Sequence, residues 1–192
     1  MNGKQLSSLT WKLLGVILLF LSIDPATSLA KSREIDLQNQ QFSEDLVKQR
    51  VSTLIHRIAE NSQIRLKDGS YATPMPLLPS NDELREVKGY GDRAVTVLAT
   101  YSDSSQGLEQ HLAVRFLLEF HNDSALAALR AFAEKSKIGG IREEAVAALT
   151  GFPPEKVKRI VEHISTSDPD PEVRAYARRV FATFPVSDES QK

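Results

Sequence analysis

The sequence predicts an all-α fold, a right-handed α–α superhelix of about 3.5 stacked helical hairpins. Three observations predict it. From Ser80 to Thr183 the apolar residues recur at helical spacing, and the segments they define are short and end at capping or breaking signals. An aliphatic–Arg pair also returns at intervals near thirty residues. Two short helices per interval cannot bury their own apolar faces, whereas stacking successive pairs buries a shared core.

The first element is an address. Lys4 and Lys12 form a positive start, and Leu13 to Ile23 is one apolar run. Pro25 interrupts it, and Ser28-Leu29-Ala30 sets small residues at the −3 and −1 positions of a cut before Lys31. The run is too short for a hydrocarbon core of ~30 Å, which takes about 20 residues. Residues 1–30 therefore read as a signal peptide, and the chain as secreted or periplasmic, with no stable membrane span after cleavage following Ala30. Retention of the segment as an N-terminal membrane anchor is the alternative.

Composition removes several classes of chemistry. Cysteine is absent, so no disulfide, thiolate zinc site, redox dithiol, thiol nucleophile or Cys-linked lipid exists. Cleavage would remove Lys4, Lys12 and Asp24 from the chain's 24 basic and 25 acidic residues, leaving 22 and 24. A near-balance of this kind lacks the clustered Lys and Arg that neutralise phosphates, so no nucleic-acid partner is expected.

Residues 31–79 read as a cap on the solenoid. Phe42 to Asn61 is one amphipathic helix with Ser43 as N-cap and Glu44 and Asp45 in its first turn, preceded by a frayed lead-in over 31–41. Lys67-Asp68-Gly69-Ser70 is a turn signal between Ile64-Arg65-Leu66 and Tyr71-Ala72-Thr73, which suggests a small hairpin. Pro74, Pro76 and Pro79 then forbid a helix and predict an extended strap.

The solenoid proper is predicted over 80–184. Ser80 and Glu83 offer a capping box, and Gly89-Tyr90-Gly91 ends that helix before a second one from Asp92 to about Tyr101. Further helices are expected at Gln106–His121, Ser124–Lys137, Ile141–Thr150, Pro154–Ser165 and Pro171–Thr183. Asn122-Asp123-Ser124 and Asp170-Pro171-Glu172 supply starts, Gly139-Gly140 and Gly151 supply stops. Residues 185–192 read as a flexible tail.

The repeat is read on Leu84-Arg85, Val114-Arg115, Ile141-Arg142 and Val173-Arg174, with Arg-to-Arg spacings of 30, 27 and 32. Asp168-Pro169-Asp170-Pro171-Glu172-Val173-Arg174-Ala175-Tyr176-Ala177 and Ile141-Arg142-Glu143-Glu144-Ala145-Val146-Ala147-Ala148-Leu149 resemble HEAT repeats of the short kind also found in phycobilisome lyase subunits. The resemblance covers roughly 80–184 and implies an armadillo-type superhelix and a protein-binding scaffold. In such repeats the recurrent Arg bridges to carboxylates of adjacent turns, which makes Asp123, Asp168 and Asp170 its expected acceptors.

Enzymatic chemistry finds no foothold in the sequence. The histidines are His56, His111, His121 and His163, with no His-Glu dipeptide of the kind that holds iron in HEAT-like hydroxylases, and Glu162-His163 is the reverse order. No nucleophile elbow appears, and Gly89-Tyr90-Gly91 lacks the rest of a phosphate fingerprint. The sequence thus predicts no catalytic residues, metal site or cofactor. Asn122-Asp123-Ser124 is also a glycosylation sequon, although its N-cap role accounts for it equally well.

One surface is singled out. The second helix of each pair normally lines the concave side of a solenoid, and there Arg93, Arg130 and Arg159, aided by His163, form a candidate basic stripe for a partner with an acidic segment. The leading expectation is an exported, non-enzymatic adaptor. A lyase-like or chaperone-like accessory component and a self-associating envelope protein are the rival readings.

Overall fold

A computed structural model describes residues 25–62, 64–65, 71–72 and 78–185, with side-chain surroundings over 43–62 and 78–185. The apolar run of the leader, the turn at 66–70, Pro74 and Pro76 of the strap, and the tail from 186 lie outside the described residues.

The described residues are helical apart from one two-stranded ladder. The helices are α1 (Pro25–Asn61), α2 (Asn81–Gly89), α3 (Asp92–Ala99), α4 (Gly107–Leu117), α5 (Asp123–Lys135), α6 (Gly139–Leu149), α7 (Pro154–Ser167) and α8 (Pro171–Phe181), with a 3-10 turn at Thr100–Asp103. β1 (Ile64–Arg65) pairs antiparallel with β2 (Tyr71–Ala72), Ile64 opposite Ala72, as the turn signal between them predicts. The chain divides into two compact units, Met1–Asp45 and Leu46–Lys192, and the division falls within α1.

One sequence expectation is corrected at α1. The helix does not begin at Ser43 after a frayed lead-in; among the described residues it is continuous over Pro25–Asn61. Residues 31–41 contain neither Gly nor Pro to interrupt it. Gly139 and Gly140 are a second correction: they open α6 instead of stopping the helix before it.

In the second unit, Val51 and Ile55 of α1 are fully buried in one core with Leu98, Phe116, Phe132, Leu149, Val161 and Ala177. Helix partners pack chiefly within the pairs α5–α6 and α7–α8. Contacts also run from α2 to α4, α4 to α6 and α6 to α8, and separately from α3 to α5 and α5 to α7.

The boundary signals act as their chemistry requires. Ser80 and Glu83 complete a reciprocal capping box, Asn122 accepts from the Ala125 N–H, and Asp170 accepts from the Glu172 N–H. Gly91, between α2 and α3, has φ of 60°, a conformation that disfavours any residue with a Cβ.

Candidate functional site

A short turn is built three times with one geometry. Ser104, Ser136 and Asp168 have φ/ψ of −60/144, −56/135 and −58/137°, and each stands two residues before an N-cap residue. Those N-caps, Gln106, Ile138 and Asp170, have φ/ψ of −96/105, −101/114 and −87/122°. The side chain of each first residue accepts the backbone N–H two residues on: Ser104 from Gln106 at 3.1 Å, Ser136 from Ile138 at 3.2 Å, Asp168 from Asp170 at 2.8 Å. Such local bonds are what Ser and Asp side chains offer a turn and a Leu or Val cannot.

Six residues further on, a long polar side chain reaches back to the carbonyl of the same turn residue. Gln110 donates to the Ser104 carbonyl, Arg142 to that of Ser136 at 2.9 Å, and Arg174 to that of Asp168 at 2.6 Å. The same side chains also reach forward to the following turn. Ser136 donates to Gln110 Oε1 at 2.5 Å, and Arg142 grips Asp168 through Nε–Oδ2 at 2.8 Å and Nη2–Oδ1 at 2.9 Å. Two rungs of one ladder result, the first neutral and the second charged, and the period is 32 residues.

That register corrects the sequence reading. Arg142–Asp168 forms as expected, but the ladder member before Arg142 is Gln110, not Arg115. Among the described residues Arg115 makes no ion pair, and Arg85 pairs only with Asp82 of its own helix. Asp123 takes Lys156 at 2.6 Å instead of an arginine, and Asp170 is a helix cap. An Arg-centred pattern search misses a rung in which Gln110 takes the place of the arginine and accepts from Ser136; the exact spacing of Ser104, Ser136 and Asp168 was the available signal.

Burial works against charge on Asp168, yet hydrogen bonds from Arg142 and the Asp170 N–H, with the Arg142 and Arg174 charges, hold its carboxyl below the usual range. Its hydrogen bond to Asp168 correspondingly raises the Arg142 guanidinium against the opposing effect of burial.

The ladder's N-terminal end is closed by α1. Glu109, buried on α4, accepts from Ser104 at 2.9 Å and lies 2.8 Å from His56 Nδ1 on α1. Arg57 of α1 binds Glu83 of α2 at 2.5 Å. The other histidines are also engaged: His111 Nδ1 lies 2.8 Å from Glu144, His163 Nε2 lies 3.2 Å from Ser167 Oγ, and the His121 ring stands 6.2 Å from that of Phe152. Among the described residues no three His, Asp or Glu side chains converge as metal ligands would.

The candidate partner residues all lie on exposed positions of α3, α5 and α7. Arg93 falls in the first turn of α3 and is not free of partners. Arg130 is held by Glu134 at 2.8 Å, while Arg159 has no hydrogen-bond or ion-pair partner among the described residues. They do not share one register position. Matching the buried Ala125, Leu129 and Phe132 of α5 to Val157, Val161 and Ile164 of α7 sets Ala127 opposite Arg159 and Glu162 opposite Arg130.

No protein-family model, curated protein or solved structure matches the chain. Among the described residues no helix is long and apolar enough to cross a membrane.

Proposed function

We propose that this chain is an exported, non-enzymatic scaffold of the HEAT-like α-solenoid class. It binds another protein, one carrying an acidic segment, across the exposed faces of α3, α5 and α7. Arg93, Arg130, Arg159 and His163 are the contacts assigned to that surface. The observation that carries the reading is the turn repeated at 32-residue spacing with its ladder of side-chain bonds, because units tied to their neighbours in this way extend a surface along one direction. Two rows of serial helix contacts, one through α4, α6 and α8 and one through α3, α5 and α7, agree with it.

The test is affinity capture with the tagged chain from Lys31 after mild cross-linking in the native envelope or secretion fraction. The reading expects one partner in near-equal amount, lost when Arg93, Arg130 and Arg159 are all changed to Gln. Such exposed changes cost less than about 1 kcal/mol of stability. Retention of the partner by the triple variant overturns the assigned surface, and a large fall in melting temperature shows these arginines to be structural.

A further inference from the structure

We propose that the face of α8 formed by the exposed Arg178 and the half-buried Arg174 and Phe181 docks a carboxylate-bearing segment of another protein, which Arg174 grips as Arg142 grips Asp168. Arg174 stands 32 residues after Arg142 and repeats half of its bonding: Nη1 donates to the carbonyls of Asp168 and Pro169 at 2.6 and 3.1 Å. Those bonds fix the guanidinium at the end of the ladder. Its Nε and Nη2, the atoms that hold a carboxylate in Arg142, have no hydrogen-bond partner among the described residues. A planar fork anchored on one side and open on the other is pre-organised for a bidentate carboxylate.

The neighbouring positions change in the same sense. Val114 of α4 and Val146 of α6 are fully buried, and the equivalent residue of α8 is the exposed Arg178. Leu117 and Leu149 are fully buried, and their equivalent is the half-buried Phe181. Arg174, Arg178 and Phe181 fall four and three residues apart, hence on one side of the helix. Lys158 Nζ lies 5.7 Å from the Phe181 ring centroid and Phe184 meets that ring edge-on, so the face sets cations around one aromatic ring, and its complement is an acidic segment with an apolar side chain beside its carboxylate. The chain itself contains a segment of that chemistry, Asp168-Pro169-Asp170-Pro171-Glu172-Val173, already seated on Arg142. This surface is separate from that of Arg93, Arg130 and Arg159.

The probe is a fluorescent synthetic peptide with the sequence of residues 166–182, titrated into the chain from Lys31 and read by anisotropy. Saturable binding is expected. It weakens at least about tenfold when the peptide carries Asp168→Asn, or when the protein carries Arg174→Lys, which keeps the charge but removes the fork. Arg178→Glu in the protein gives the same loss at a site whose only bond to its own helix is Nε to the Arg174 carbonyl. The triple Arg93, Arg130 and Arg159 variant binds the peptide normally, so failure of the α3–α5–α7 surface leaves this one standing.

Absence of saturable binding overturns the proposal, as does equal binding by the Arg174→Lys and Arg178→Glu proteins. Binding that appears only after residues 186–192 are deleted assigns the face to the chain's own Asp188 and Glu189 and overturns it too. A dimer in sedimentation that Arg174→Lys abolishes does so in favour of a second copy.

Discussion

Arg142 and Asp168 meet through two parallel hydrogen bonds of 2.8 and 2.9 Å, with side chains only 8% and 4% exposed. This buried pair joins α6 to the turn that launches α8. Removing one partner strands the other charge away from water. Asp168→Asn is therefore expected to cost about 3 kcal/mol, a fall in melting temperature of roughly 9 °C for a chain this size. The double variant Arg142→Gln, Asp168→Ser copies the neutral Gln110–Ser136 rung and is expected to lose less than either single change. Thermal unfolding of the three variants checks the order.

Acid sensitivity follows from the same carboxylate. Because the folded state holds Asp168 below its ordinary value, its contribution is fully present above the unfolded value, about 3.9. It is lost as pH falls through the depressed folded value. Glu83 acts in the same direction: burial opposes its ionisation, but Ser80 and Arg57 outweigh that. Stability measured by denaturant is expected to hold from neutrality to about pH 5 and then fall, with a shallower fall in Asp168→Asn.

The two glycines that open α6 are expected to respond oppositely to alanine. A Cβ on Gly139 would stand 2.6 Å from Asp170 Oδ2, the cap of α8, whereas one on Gly140 meets nothing within 4 Å. Gly140→Ala should raise stability by about 0.5 kcal/mol through helix propensity, and Gly139→Ala should lower it by about 1 kcal/mol through crowding. Melting temperatures of the two variants decide it.

The closing role of α1 is also measurable. Ile55 is fully buried and His56 beside it reaches the buried Glu109. Ile55→Ala should cost about 3 kcal/mol, the range for truncating a core Ile. A loss near zero would mean that this part of α1 adds nothing to the core.

Legibility in the sequence divided along physical lines. Caps at Ser80, Asn122 and Asp170 were readable because they depend on residues within three positions, and helix type was readable from apolar spacing. The helical state of residues 31–41 was not, since Ser43 is a cap by residue type alone and loses that role once the polar residues before it are helical. Gly139 read as a stop because its purpose, room for Asp170, depends on a residue about thirty positions away. The ladder was half legible: Arg142–Asp168 showed in the Arg pattern, but Gln110–Ser136 bonds through neutral groups that no charge pattern reveals. Among the candidate partner residues, exposure was legible from helical phase, whereas the pairing of Arg130 with Glu134 and the differing registers needed coordinates.

The most direct test of the scaffold reading is hydrogen exchange on the chain from Lys31, alone and with its captured partner. Slowed amide exchange in α3, α5 and α7 together is expected on binding. Protection confined to α2, α4 and α6, or no change in any helix, would contradict it.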